Sequence, residues 1–244
     1  MRRRLVLVTL LFASFIARLP VHSSFAQAPE SAPPPAVEAP PPSSETTPAP
    51  VPTDEHRLPE LLPHERADAV MELGELRSAV RMSPNSADGR LKLAQGLYRI
   101  GDLDAAIDEC RMAIAMKPDD ARAHLQLGVA LMAKQDWRAS LAELKETTRL
   151  NPELTQAHYN LGTVYYTTGN LKAAIQSYRK ALELQASFPD ARYRLALVLK
   201  LAHRDQESVQ FMEEAAIGGV PQAQYFLGNA YRNGQGVEKN LTLA

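Results

Sequence analysis

The chain has 244 residues, with 28 acidic against 27 basic side chains, 18 prolines and one cysteine. A formal net charge of −1 does not favour nucleic acid or an anionic membrane as a partner. A lone Cys110 excludes a disulfide within the chain, so stability has to come from packing.

The first residues read MRRRLVLVTLLFASFIARLPVHSSFAQA. Arg2, Arg3 and Arg4 form a basic start, Leu5 to Ala17 an apolar run, and Ser24 with Ala26 a small-x-small pattern. This is the outline of a secretory signal peptide over 1–26, with cleavage after Ala26 or Ala28. The apolar run would rise only about 20 Å as a helix, too little to span a bilayer. No cysteine follows it to carry a lipid anchor. Removing 1–26 takes away four arginines and no acid, leaving 23 basic against 28 acidic residues, a balance of −5. The expected location is outside the cytoplasm, in a bacterial periplasm.

Residues 27–63 hold 12 of the 18 prolines, with Ala, Ser, Thr and Glu between them. Such a segment has too little apolar surface to offset the entropy of ordering, and reads as a disordered, semi-extended linker. The prolines clump rather than follow a strict repeat, which favours a spacer over a ligand for another domain.

From residue 64 the composition turns to Ala, Leu, Arg, Glu and Tyr, and the chain repeats itself. Leu93-Ala94, Leu127-Gly128, Leu161-Gly162 and Leu195-Ala196 fall 34 residues apart. Pro84, Pro118 and Pro152 share that step, as do Gly101, Gln135, Gly169 and His203. A fixed period of this size means stacked units. In the stretch 155–185, His158, Leu161, Gly162 and Tyr165 form one helical stripe. Gly169-Asn170 breaks it, and Leu171, Ala174, Ile175, Tyr178, Ala181 and Leu182 form a second. Each unit is a helical hairpin, with Gly128, Gly162, Ala174 and Ala181 letting its helices approach closely.

These residues resemble the tetratricopeptide repeat family. The first full unit matches at Leu93, Ala94, Leu97, Gly101, Asp102, Ala106, Cys110, Ala113 and Pro118. The second matches at Leu127, Gly128, Leu131, Trp137, Ser140, Leu144, Thr147 and Pro152, and the third matches best. The fourth departs at His203 and Ser208. The resemblance implies an all-α fold, a right-handed αα superhelix (a solenoid), over 64–219. Its units lie at about 65–86, 87–120, 121–154, 155–188 and 189–219. Residues 65–83 read as the second helix of a degenerate leading unit. Residues 220–244 resemble part of a Sel-one-like repeat through Ala215, Ala216, Gly218, Ala223, Leu227, Gly228, Tyr231, Gly234, Gly236 and Val237. A second helix would start near Asn240, and an unpaired helix 222–232 suggests that the hairpin continues beyond this sequence.

Gly234, Gly236 and Lys239 spell G-x-G-x-x-K, but Lys239 does not follow a glycine and no strand precedes the motif. The glycines read as helix-ending turn residues, not a phosphate cradle. His124 and His158 sit on neighbouring first helices about 10 Å apart, too far to share an ion without a third element. Cys110 reads as a buried, inert thiol, and no nucleophile elbow, H-E-x-x-H or paired cysteines occur. The expectation is a non-catalytic chain with no cofactor and no metal.

The resemblance places the first helices on the concave face. The matching residues are Asp88, Leu91, Gln95, Tyr98 and Arg99, then Arg122, Leu125, Val129, Met132 and Ala133. Gln156, Tyr159, Thr163, Tyr166 and Thr167 follow, then Asp190, Tyr193, Leu197, Lys200 and Leu201. Of these, Tyr98, Arg99, Arg122, Leu125, Val129, Met132, Tyr159, Thr163, Tyr166, Tyr193 and Leu197 are the candidate protein-binding groove. They suit an extended peptide or a helix of a partner protein. A clamp for acidic carboxyl termini is rejected, because Leu91 and Gln95 stand where that subtype has Lys and Asn, and only Asn160 fits, in another unit. The expected function is an exported interaction scaffold. The alternative is an accessory subunit or enzyme of envelope polysaccharide or peptidoglycan metabolism.

Overall fold

Turn chemistry repeated along the chain divides it into helices of nearly equal length. A computed structural model describes residues 62–243. The expected signal peptide, almost all of the expected linker, and Ala244 lie outside them. Ten helices and no strand occur among the described residues. They are α1 (Pro63–Met82), α2 (Ala87–Arg99), α3 (Leu103–Met116), α4 (Ala121–Ala133), α5 (Trp137–Leu150), α6 (Thr155–Thr167), α7 (Leu171–Leu184), α8 (Pro189–Leu201), α9 (Asp205–Ile217) and α10 (Pro221–Asn233).

The starts of α2, α3, α4, α5 and α7 are set by short polar side chains that take up free backbone N–H groups. Ser86 accepts from Gly89, Asp102 from Ala105, Asp120 from Arg122, Asp136 from Ala139 and Asn170 from Ala173. The turns after the first helices α2, α4, α6 and α8 are set by left-handed residues. Gly101, Gln135, Gly169 and His203 all have positive φ, at 85°, 62°, 79° and 57°. The turn geometry is thus imposed on Gln135 and His203, which pay about 1–2 kcal/mol in left-handed backbone that glycine would not.

Each helix packs on the next in the chain, so α2/α3, α4/α5, α6/α7 and α8/α9 are hairpins, with α1 and α10 at the two ends. The first helices α2, α4, α6 and α8 also touch one another in succession, whereas no second helix packs comparably on the next. The layer of first helices is therefore the tighter one and lies inside the curvature of an all-α solenoid.

Within a hairpin, a small residue on the first helix faces a side chain sixteen positions later. A Cβ on Gly162 would lie 2.7 Å from the Tyr178 ring, and one on Gly128 would lie 2.9 Å from Leu144. Ala94 shares a cluster with the smaller Cys110, and Ala196 with the flexible Met212. Two hairpins add a buried bridge where the other two have alanine. Ser140 donates to the Gly128 carbonyl and Ser208 to that of Ala196, both at 2.8 Å. Ser208 is thus a departure from the repeat that makes a contact of its own.

A basic column stitches successive units together. Arg90 donates to the Pro84 carbonyl at 3.0 Å and to Glu109 at 2.8 Å. One period later, His124 Nε2 lies 2.8 Å from the Pro118 carbonyl and Nδ1 lies 2.7 Å from Glu143. His158 Nε2 repeats the first contact with Pro152 at 2.8 Å. These histidines tie a first helix to the preceding loop. Cys110 is fully buried, and burial, with the Glu109 charge beside it, pushes its thiol up to about 12.

At the far end, Gly234 and Gly236 have φ of 71° and 76° and turn the chain after α10. A Cβ on Gly236 would lie 2.7 Å from the Asp205 carbonyl, so the turn rests on the start of α9. Asn240 Oδ1 accepts from Thr242 N at 3.0 Å and from Leu243 N at 3.2 Å. That is the capping contact of a helix start, at the place where the sequence leads one to expect a second helix to begin, and residues 241–243 form a turn.

Gly162→Ala should destabilise the chain by about 1–3 kcal/mol in urea unfolding, because overpacking against Tyr178 outweighs the ~1 kcal/mol of helix propensity gained. An unchanged or raised midpoint would show that the helices can move apart there. Gln135→Gly and His203→Gly should each stabilise by about 0.5–1 kcal/mol, the left-handed strain relieved less the added unfolded-state entropy. A lower midpoint for both would contradict this account of the turns.

Candidate protein-binding face

The 34-residue step places side chains in columns across α2, α4, α6 and α8. At the rim, Arg122 joins two units, its Nη2 lying 2.8 Å from Asp88 and 2.8 Å from Asp120. Lys117 adds a contact to Asp88 at 3.4 Å. The Arg122 guanidinium, then Lys117, holds the Asp88 carboxyl below its ordinary value, and Arg122 does the same to Asp120. Arg99 is exposed and pairs with Glu72 at 2.7 Å.

Aromatic groups collect on α6 and α8. The Tyr159 ring lies 4.9 Å from Phe188 and 5.7 Å from Tyr178 between centroids. Burial, and then the Asp190 charge, push the Tyr159 phenol up to about 12, so it stays neutral and able to donate. Tyr166 is half-buried, and burial raises its phenol, with Tyr193 a second cause. Tyr178 is fully buried and lies behind these rings, its hydroxyl 3.0 Å from Thr163 Oγ1.

The expected groove residues separate by burial. Tyr98, Leu125, Val129, Tyr159, Tyr166 and Leu197 are half-buried, and Arg99 and Arg122 are exposed. Thr163 is 2% exposed, its hydroxyl engaged by Tyr178 and by the Tyr159 carbonyl. Met132 is 7% exposed within a cluster with Leu144, Leu161 and Val164. Thr163 and Met132 therefore belong to the core and present little to a ligand. Tyr193 is 6% exposed, packs with Ala196 and Met212, and likewise belongs to the core rather than to the open face. Tyr98 sits on α2, away from the aromatic group on α6 and α8.

Another column, Lys92, Gln126, Asn160 and Arg194, is absent from the expected groove residues although the same step marks it. Gln126 Oε1 and Asn160 Nδ2 are buried without a hydrogen-bond partner. One is an acceptor and the other a donor, on helices that touch. Asn160 Oδ1 accepts only a long contact from Gln156, at 3.4 Å. Arg194 is held below its ordinary value by burial. At the end of the row, Lys200 lies 4.4 Å from the Phe226 ring centroid and 3.2 Å from Gln235 Oε1.

Among the described residues, no group of three His, Cys, Asp or Glu could hold a metal ion, and no helix is long and apolar enough to cross a membrane. The face offers aromatic rings, neutral phenols and amides, which are groups for recognition.

Known proteins support the same architecture. No curated protein matches the sequence significantly. Among solved structures, PilF of Pseudomonas aeruginosa is similar at 22% identity and a TM-score of 0.63, over 70% of this chain and 80% of that one. YrrB, described as a TPR protein with an unusual peptide-binding site, is similar at 20% identity and 0.58, over 69% and 88%. MamA of Desulfovibrio magneticus RS-1 is similar at 18% and 0.58, over 63% and 87%. At such identities the likeness shows the fold. The tetratricopeptide repeat model matches residues 66–121 and 125–187, and the Sel1 repeat model matches 221–244. The chain is a tetratricopeptide-repeat protein that runs at its end into a Sel1 repeat.

Proposed function

We propose that this chain is an exported interaction scaffold whose first-helix face binds a segment of a partner protein. The fold is one that serves protein–protein interaction, and solenoid curvature gives it an extended face. The observation that carries the reading is the aromatic group on α6 and α8, where Tyr159 and Tyr166 stand half-buried as neutral phenols. Rigid amphipathic rings with few rotatable bonds are the side chains that bind at low entropic cost. Val129, Leu125 and Leu197 extend the apolar area along the row, and Arg122 closes its rim. Export rests on the basic start, the apolar run and the small-x-small pattern in residues 1–26, and the proline-rich stretch 27–63 would serve as a spacer.

Immobilised wild-type chain should capture partner proteins from an extract of the source cells, and Tyr159→Ala with Tyr166→Ala should lose at least one of them. Glu183→Ala, an exposed change on the second helix α7, should lose none. If the double variant keeps every partner, the first-helix face is not the binding surface. Cell fractionation with N-terminal sequencing should find the chain outside the cytoplasm, beginning at Gln27 or Pro29. A full-length chain confined to the cytoplasm would end the export reading.

A further inference from the structure

The helix α1 carries apolar surface on two sides. Ala69, Leu73 and Val80 are buried, and Leu73 and Val80 pack with Leu93 and Leu97 of α2. On the opposite side Ala67, Met71, Gly74, Ser78 and Met82 follow at steps of four, three, four and four, which keeps them on one face. All five are exposed, Met71 by 66% and Met82 by 85%, and Val70 beside them is 54% exposed. The later second helices do not share this surface. Where α1 has Val70, Gly74 and Ser78, the matching places hold Asp104 and Asp108 on α3, Arg138 and Glu146 on α5, and Lys172 and Lys180 on α7. Those helices put charge where α1 puts none.

Three features of this face fit a second helix of the same kind. Gly74 stands in mid-helix, where glycine is a poor helix former, and a Cβ on it would meet nothing within 4 Å. Packing inside the chain therefore gives no reason for it, unlike Gly128 and Gly162, whereas a helix laid on this face would come closest there. The Ser78 hydroxyl already donates to the Gly74 carbonyl at 2.9 Å, so covering it leaves no polar group unpaired. Charge of opposite sign lies along the two edges. Arg77 and Arg81 line one, Asp68 and Glu75 the other, and none of the four is in an ion pair among the described residues.

The edges select the partner and its direction. A two-fold axis along the helix brings the acidic edge of one α1 to the basic edge of another. An antiparallel pair brings like edges together. We propose that two copies of this chain pair through α1, parallel and in register, with Met71 and Gly74 each facing its own counterpart across the two-fold. One helix pair buries less than the roughly 1,200 Å² at the lower end of stable interfaces, so the dimer is a weak one that forms as concentration rises. The pairing uses no residue of the first-helix face and goes beyond the binding role proposed above.

Sedimentation velocity on the full chain, over a micromolar to submillimolar series, tests this. The wild type should pass from monomer to dimer. Met71→Glu sets two like charges against each other at the two-fold and should weaken the dimer by about tenfold or more. Lys172→Glu, on the exposed side of α7, should leave it unchanged. Circular dichroism on each variant reports folding. Ser78→Cys reads the direction. On mild oxidation it should link into a disulfide dimer, because the two thiols lie opposite each other in the parallel register and far apart in an antiparallel pair centred on Gly74. The wild type should not link, since Cys110 is fully buried. A chain that stays monomeric throughout would overturn the proposal. So would a dimer that Met71→Glu leaves as tight, or one that Ser78→Cys does not link. If Met71→Glu fails to fold, the disulfide test decides alone.

Discussion

The structure depends on how closely the two helices of each hairpin approach, and one pair of positions sixteen residues apart sets that distance. Gly162 admits the Tyr178 ring and Gly128 admits Leu144, each with less room than a methyl group needs. Ala94 and Ala196 stand opposite Cys110 and Met212, one small and one flexible. The volumes trade across the gap, so the hairpins stay similar in width while their residues differ. Similar width is what lets units with a 34-residue period stack without accumulating a mismatch. With one cysteine in the chain, no covalent tie can stand in for this packing.

Polar contacts handle what packing cannot, which is registry between one unit and the next. The loops before α2, α4 and α6 each carry a proline whose carbonyl takes no backbone N–H. Arg90, His124 and His158 reach back to those carbonyls from the same place in three units. Where the second helix offers Glu109 or Glu143, the same side chain binds that helix as well. Such contacts are worth modest energies individually, but they leave fewer buried polar groups alone and so discriminate against slipped stacking.

Much of this was legible from spacing. The helix breaks, the close approach at Gly128 and Gly162, and the turn role of Gly234 and Gly236 follow from residue types at fixed steps, because local backbone geometry is decided by neighbours in sequence. The positive φ of Gln135 and His203 is readable only by analogy with Gly101 and Gly169, since neither residue signals it. Burial on the first-helix face was less legible. Period alone gives the separate columns of Thr163 and Met132, but how deep each sits depends on the curvature of the stack and on the size of Tyr178 and Leu144 across the hairpin. The column of Gln126 and Asn160 was hidden for a different reason. Its members share polarity but not identity, so no repeated letter marks them.

The aromatic face and the tightest hairpin are one assembly. Tyr178 fills the space that Gly162 leaves, Tyr159 packs on Tyr178, and Phe188 packs on Tyr159 from the loop before α8. The buried hydroxyl contact between Tyr178 and Thr163 fixes the ring that the others lean on. The exposed edge of Tyr159 is therefore positioned by a core contact two layers below it, and a ligand finds the ring already in place. Preorganisation of this kind reduces the entropy lost on binding and accounts for why a recognition surface would sit on this unit, where packing leaves the least freedom.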